Sequence, residues 1–513
     1  MSFSKYGIYY QLPVYAFADA NGDGIGDFSG IVKAIPYLKS LHIDTLWLSP
    51  VHPAASYHGY DVLDYETVRP EYEVGCSFDE MIAALAEQDI YVIMDMVMNH
   101  TALAHEWFRE GALAFVNGQY SKYRDYYLYS WEPHGKGWYP YEIDGKTLYY
   151  YGSFDASMPD LRYREDQHFA EDPVFQYMVS VSKRWLKRGV KGFRLDGVTH
   201  FYLPQADADY KNKSFLAAYC AALREENPDV YVVAETADGD YGSGYNGSVD
   251  SILNFPLYNR IRTSLLCSSG DVVDYAMCCQ QAYRRENPQA IMANFISNHD
   301  DGQGRLTMKT GNIDMIKTAL AFQILLPGNP FIYYGDELAM LGERHASGGY
   351  LDTAYRTPLL WNESTPREAS YLDERTRNSV WYCATPGSVA GAGGNTVEEQ
   401  ERDAFSVLNY TRALTEIKSS YPELLAGTVR KIYTNWQSSG ILAYRVEDGE
   451  RLLAVVQNIR SGETVCRKDY EWRTDRAPRL GKWAQAYDSG CECRVEGDNI
   501  FLPPLSVAVI ELV

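Results

Sequence analysis

The chain has 513 residues, 46% of them hydrophobic, and a formal net charge of −21. That apolar content excludes wholesale disorder, and the acidic balance repels phosphate backbones, so nucleic acid is not an expected partner. No apolar run of ~18 residues is present, so no membrane span is expected.

The first predicted strand lies in IYYQLPVYAF (8–17). Upstream, MSFSKYG offers no basic region followed by an apolar stretch and a small-residue cleavage site. The nine cysteines include the adjacent pair Cys278 and Cys279 and show no paired zinc-ligand spacing. They read as reduced thiols, and the expectation is a cytoplasmic protein. Further strands follow at IDTLWLSP (43–50), YVIMDMV (91–97), GFRLD (192–196), VYVVAE (230–235), SILNF (251–255), ANFISN (293–298) and PFIYYG (330–335). Amphipathic helices separate them, among them 78–88 and 173–188. Eight strands alternating with helices predict an α/β fold, a (β/α)8 barrel. An open doubly wound sheet is the alternative, but no GxGxxG follows the first strand.

Residues 101–160, dense in Tyr, Trp and Gly, are too long for a connection and read as a small domain inserted after strand three. Residues 340–400 read as a long loop over the barrel top, and a helix at 401–418 closes the barrel. From 426 to 513 short alternating runs predict a C-terminal antiparallel β-sandwich. The barrel then comprises 1–100 and 161–425.

In a barrel, polar residues at the C-terminal strand ends are active-site candidates. Strand three offers Asp95, Asn99 and His100, and strand five Glu235. Strand seven offers His299 and Asp300. Strand four carries Arg194 and Asp196 two residues apart, hence on one face. Buried charges need partners, so these two are either a structural pair or a nucleophile and its cation. Converging carboxylates cost stability, and a fold keeps them for a reason. Two carboxylates flanking a bond are the equipment for glycoside cleavage. Arg194 should hold the Asp196 carboxyl low, as a nucleophile needs. Desolvation and neighbouring acids should push Glu235 up, as a proton donor needs. Asp300 is the third acid, and His100 and His299 are neutral donors to sugar hydroxyls.

Four motifs in order, DMVMNH (95–100), GFRLDGVTH (192–200), AET (234–236) and ISNHD (296–300), resemble those of glycoside hydrolase family 13, the α-amylase family. The resemblance extends over nearly the whole chain and implies Asp196 as nucleophile, Glu235 as acid/base and Asp300 as the acid that grips substrate hydroxyls. Arg194 would orient Asp196, and His100 and His299 would bind the sugar being cleaved. YHGYD (57–61) implies that Tyr60 stacks on that sugar and Asp61 binds its hydroxyls. YRTPLLW (355–361) resembles a segment of family α-glucosidases, where Arg356 would approach Asp61 and wall the pocket. MPDL (158–161) is most similar to the intermediate group between oligo-1,6-glucosidases and neopullulanases.

DANGDGIGD (19–27) places oxygen ligands at alternate positions: Asp19, Asn21, Asp23, the Ile25 carbonyl and Asp27. It resembles the front of an EF-hand loop without its twelfth-position Glu. The family resemblance implies a structural Ca²⁺ there, away from catalysis. The counterparts of Asn99 and His200 ligate a second Ca²⁺ in classical α-amylases, but the inserted segment shows no identifiable aspartate for it. Gly197 after Asp196 is small, as in members preferring α-1,4 bonds, while Thr199 replaces a lysine common in α-amylases.

The implied activity is retaining hydrolysis of α-1,4-glucosidic bonds in maltooligosaccharides or starch-like α-glucans. The alternatives are an exo-acting α-glucosidase, an oligo-1,6-glucosidase or a transglycosylase of the same family. A non-catalytic binding protein is disfavoured because all three acids are present.

Overall fold

A computed structural model describes residues 2–236, 244–267, 272–300, 305–341, 352–366, 387–432 and 440–513. Its strands, in chain order, begin with β1 (Tyr9–Leu12), β2 (Thr45–Leu48) and β3 (Tyr91–Met96). The inserted segment supplies β4 (Tyr129–Ser130), β5 (Trp138–Ile143) and β6 (Lys146–Tyr151). Then come β7 (Gly192–Leu195), β8 (Tyr231–Ala234), β9 (Ser251–Ile252), β10 (Ala293–Asn294) and β11 (Asn329–Tyr333).

Eight of these form one sheet in the order β10-β11-β1-β2-β3-β7-β8-β9, with every pair parallel. A parallel bridge from Leu253 to Ala293 joins its two ends and closes the barrel. Closure brings the first strand against the last, with Tyr9 in register with Phe331. The Gly7 amide donates to the Asn329 side chain across 322 residues of sequence.

All eight predicted apolar runs supply a barrel strand, but the strands are shorter than the runs. In 8–17, pairing stops at Leu12, because Pro13 has no N–H for a ladder and Val14–Phe17 make one helical turn. The predicted helices form, and side chains cap both. Asp172 accepts from the Val174 and Phe175 amides and Pro173 takes the first turn of Pro173–Lys187. Ser77 and Glu80 make a capping box on Phe78–Ala86. The helix expected at 401–418 is two helices, Val397–Arg402 and Val407–Ser420, with Ser406 capping the second. Part of the expected loop 340–400 lies outside the described residues.

Strand alternation fills the barrel in layers. Tyr9, Trp47, Ile93, Tyr231, Val233 and Phe331 form an interior cluster distinct from the layer between strands and helices. Asp95 and Glu235 lie two residues beyond Ile93 and Val233 on the same face. The chain thus fills its interior with apolar groups and presents carboxylates at the C-terminal rim.

Within the inserted segment, β5 and β6 form a hairpin through Asp144 and Gly145. Both have positive φ, 51° and 70°, the conformation a two-residue hairpin turn demands. A bridge from His100 to Asp160 ties the insert to the chain just after β3, and one from Tyr127 to Leu161 ties it to the segment that follows it.

The C-terminal strands are β12 (Thr428–Lys431), β13 (Ile441–Asp448), β14 (Arg451–Asn458), β15 (Thr464–Arg467), β16 (Pro478–Gln485), β17 (Arg494–Glu496), β18 (Asn499–Leu502) and β19 (Ser506–Leu512). They form two antiparallel sheets, β12-β13-β14-β19-β16 and β15-β18-β17, which enclose their own core around Val456, Trp472, Ile500 and Ile510. Lys317, on the barrel helix Ile313–Leu325, donates to the Ala486 and Phe405 carbonyls and pins this domain to the barrel.

Candidate active site

The site is organised around Arg194, whose side chain is 1% exposed. Its Nη1 donates to Asp95 Oδ1 at 2.8 Å and to Asp196 Oδ1 at 2.6 Å. Its Nη2 lies 2.7 Å from Glu235 Oε2. One guanidinium therefore serves three carboxylates from three adjacent strands. Register explains the first contact: Asp95 and Arg194 are paired residues on β3 and β7. Trp47 covers the guanidinium at 5.3 Å and donates its indole N–H to Asp95. A buried Arg with several acceptors uses its planar fork as Lys cannot.

Glu235 Oε2 also accepts from the Gly197 amide at 3.2 Å. Burial, reinforced by the negative charges of Asp196 and Asp300, pushes the Glu235 carboxyl up to about 8 against the pull of Arg194. A raised proton affinity is what a general acid needs. Burial likewise raises Asp95, with Asp196 adding to the rise and Arg194 opposing it.

Tyr60 links this cluster to the seventh strand end. Its hydroxyl donates to Asp95 Oδ2 at 3.0 Å and lies 2.6 Å from His299 Nε2. The Tyr60 and His299 rings stack with centroids 5.4 Å apart. Gln11 on β1 reaches His299 Nδ1 at 2.7 Å. Asp300, 45% exposed, faces His299 Nε2 at 3.4 Å and Arg356 Nη2 at 3.8 Å. Arg356 also donates through Nε to the His299 carbonyl. The His100 ring approaches the Tyr60 carbonyl through Nε2 at 3.1 Å, and burial lowers its basicity. Asp61 is buried and accepts from the Ser56 amide and hydroxyl.

A cavity of about 320 Å³ opens onto Tyr60, His100, Asp196, Glu235, Asp300 and Arg356. The structure therefore gathers those predicted residues around one space, with Arg194 beneath them. Asp95 was legible only as one of the strand-end acids, and Trp47, Gln11 and Phe154 of the insert, which also lines the cavity, were not among the candidates. Gln11 carried a readable signal, as the one polar residue in YYQL.

The loop 19–27 stands apart from this cavity. Asp19 accepts from the amides of Asn21, Gly22 and Gly24. Asp23 accepts from Ile25, and Asp27 caps the helix Phe28–Lys33 through the Gly30 amide. Among the described residues no three His, Cys, Asp or Glu side chains converge as a metal cluster. The loop's donor set also includes an amide and a backbone carbonyl, and its all-oxygen chemistry fits a hard cation such as Ca²⁺. Asn99 donates to Ser153 of the insert, and the His200 ring lies 4.8 Å from Phe154.

Residues 11–427 match the family model described as alpha amylase, catalytic domain. Alpha-amylase 3 of Dictyoglomus thermophilum is 33% identical over 466 residues, 90% of this chain and 86% of that protein. The 4-alpha-glucanotransferase of Thermotoga maritima is 30% identical over 485 residues, 89% of this chain and 96% of that protein. The crystal structure of alpha-amylase from H.orenii superposes with a TM-score of 0.79 at 27% identity, covering 100% of both chains. Motifs, fold and relatives agree: the chain belongs to the α-amylase family, glycoside hydrolase family 13, and is a glycoside hydrolase.

Proposed function

We propose that the enzyme cleaves α-1,4-glucosidic bonds in maltooligosaccharides or starch-like α-glucans by double displacement. The observation that carries this reading is the single Arg194 fork gripping both Asp196 and Glu235. Sharing one guanidinium keeps the two carboxyl groups near each other, which fits a nucleophile and an acid/base acting on one bond. Asp196 attacks the anomeric carbon while the bond to the leaving oxygen breaks, and the Glu235 proton passes to that oxygen. Glu235, now a carboxylate, takes a proton from water as the water oxygen attacks the anomeric carbon and Asp196 leaves. A sugar hydroxyl in place of water gives transfer, which fits the name of the Thermotoga relative.

The test is a product time course on maltoheptaose, with isomaltose and sucrose alongside. Mixed shorter oligosaccharides from the first minutes are expected. Glucose alone, released stepwise, would replace this reading with an exo-acting α-glucosidase, for which Arg356 beside Asp300 is the favouring observation.

The alkaline limb of kcat/KM should follow Glu235, whose raised carboxyl loses its proton as pH passes about 8. Asp300 is a negative neighbour that raises this group. Asp300→Asn should therefore move the limb of the residual activity to lower pH, measured with an unactivated oligosaccharide.

We also propose that Asp19, Asn21, Asp23, the Ile25 carbonyl and Asp27 hold a structural Ca²⁺. EDTA should then lower the melting temperature more than it lowers the rate at assay temperature. An unchanged melting curve after proven metal removal would count against the site. The cysteine pattern supports a cytoplasmic location for this enzyme, and the net charge of −21 disfavours a nucleic-acid partner.

A further inference from the structure

Gln11 is a polar side chain in an apolar place. It lies on β1 two residues beyond Tyr9, on the face that fills the barrel interior. It is in register with Trp47 and Tyr333 on the flanking strands and is 2% exposed. A buried amide costs stability unless it is hydrogen-bonded. This one reaches His299 Nδ1 at 2.7 Å.

The direction of that bond follows from the contacts on the other side of the ring. The Tyr60 hydroxyl has one proton, and it donates to Asp95 Oδ2 at 3.0 Å. Asp95 is also the acceptor for Arg194 through Oδ1 and for the Trp47 indole through Oδ2. The Tyr60 oxygen therefore accepts from His299 Nε2, 2.6 Å away. Nε2 then carries the proton of the neutral imidazole, and Nδ1 is left as an acceptor. A donor must face Nδ1, and the amide NH2 of Gln11 is that donor. The ring itself is held in place. Trp47 meets it edge-on with centroids 6.1 Å apart, and Tyr60 lies parallel to it at 5.4 Å.

We propose that Gln11 is a positioning residue for catalysis, whose amide fixes His299 as the Nε2–H tautomer. The ring then donates on the side that faces Tyr60 and Asp300, where Asp300 Oδ1 lies 3.4 Å from Nε2. In the other tautomer a lone pair would face that carboxylate. The Tyr60 proton would also turn from Asp95 to the ring, and the Asp95–Arg194 pair would lose a donor. One amide on the first strand thus sets the polarity of a chain running from His299 through Tyr60 and Asp95 to Arg194. The proposal rests on the reading of Asp196, Glu235 and Asp300 as the catalytic acids.

The test reads the tautomer in the intact enzyme. Long-range ¹H–¹⁵N spectra of protein carrying ¹⁵N-histidine report which ring nitrogen is protonated, and the His299 signals are those lost in His299→Asn. Wild type should show Nδ1 unprotonated and Nε2 protonated. Gln11→Met keeps the length of the side chain and removes the donor. Its His299 Nδ1 signal should shift toward the protonated value. Its kcat/KM on maltoheptaose should fall about 10- to 100-fold, the scale of a histidine losing the partner that orients it. In the His299→Asn background Gln11→Met should change kcat/KM by less than about twofold, because no tautomer remains to be set. A protonated Nδ1 in wild type would overturn the proposal. So would the wild-type tautomer persisting in Gln11→Met, or an undiminished loss from Gln11→Met in the His299→Asn background. Failure of the underlying reading shows separately, as near-wild-type turnover by Asp196→Asn.

Discussion

Asp196→Asn should lower kcat by about 10⁴-fold or more while the protein melts as the wild type does. The scale is that of removing a nucleophile from a preorganised site. Asn matches Asp in volume, and the side chain is only 10% exposed, so neither cavity nor clash arises. What changes is chemistry. An amide is a poor nucleophile and leaves no anion to stabilise the developing positive charge on the sugar. Arg194 keeps two of its three carboxylates, Asp95 and Glu235, which preserves the packing of the site. Loss should extend to glycosyl fluorides, because the nucleophile is needed whatever leaves. Glu235→Gln provides the complement. With a glycosyl fluoride it should form the covalent intermediate and stall, since no base remains to activate water. Intact mass spectrometry would then show the chain heavier by one glycosyl unit. Near-wild-type turnover by pure Asp196→Asn, or a stalled adduct mapped to another residue, would remove Asp196 from its role.

The largest stability effect is expected from Arg194→Met. The substitution leaves Asp95, Asp196 and Glu235 facing one another without their cation. Removing one partner of a buried ion cluster costs about 3–5 kcal/mol. The sign of the pH dependence follows from the same contacts. Arg194 lowers the proton affinity of Asp95 and Glu235 in the folded protein. Without it their folded-state values rise further above those of the unfolded chain. Groups raised on folding contribute stability below their unfolded values and lose it as pH rises toward the folded ones. The deficit of Arg194→Met relative to wild type should therefore be small near pH 4 and grow through neutral pH, as read from denaturant melts. Arg194→Lys should recover part of the stability and little of the activity, because one ammonium nitrogen cannot span Asp196 and Glu235 as two guanidinium nitrogens do. A deficit independent of pH would mean that the loss is packing alone.

The barrel and its carboxylates were legible because the signals are local. Apolar runs of strand length recur between amphipathic helices, and Asp95, Asp196, Glu235 and Asp300 each close such a run. What remained hidden depends on register and on contacts distant in sequence. Asp95 reads as one more acid until β3 and β7 pair it with Arg194. That Glu235 shares the same guanidinium follows only from the pairing of β7 with β8, where Arg194 lies opposite Val233 two residues before it. Strand ends were misjudged where polar geometry overrides apolar content. At Pro13 the missing N–H ends β1 inside an otherwise continuous apolar run. Phe154 gave no signal, because an aromatic residue in a Tyr-rich insert looks like core until its exposure is known.

The pairing of β1 with β11 carries a consequence for the chain as it is made. Residues near Gly7 and Asn329 must meet before the barrel wall is complete. A ribosome releases the N-terminal end long before it has added the last strand. Through most of synthesis β1 exposes an unpaired edge of Tyr9, Tyr10 and Leu12, a ready template for association with other chains. Arg356 emerges later still. The nascent enzyme should thus stay catalytically silent until Asp300 and Arg356 have been translated, and its most vulnerable interval precedes the arrival of Asn329–Tyr333. Truncations that end before that strand should aggregate rather than yield a small active barrel.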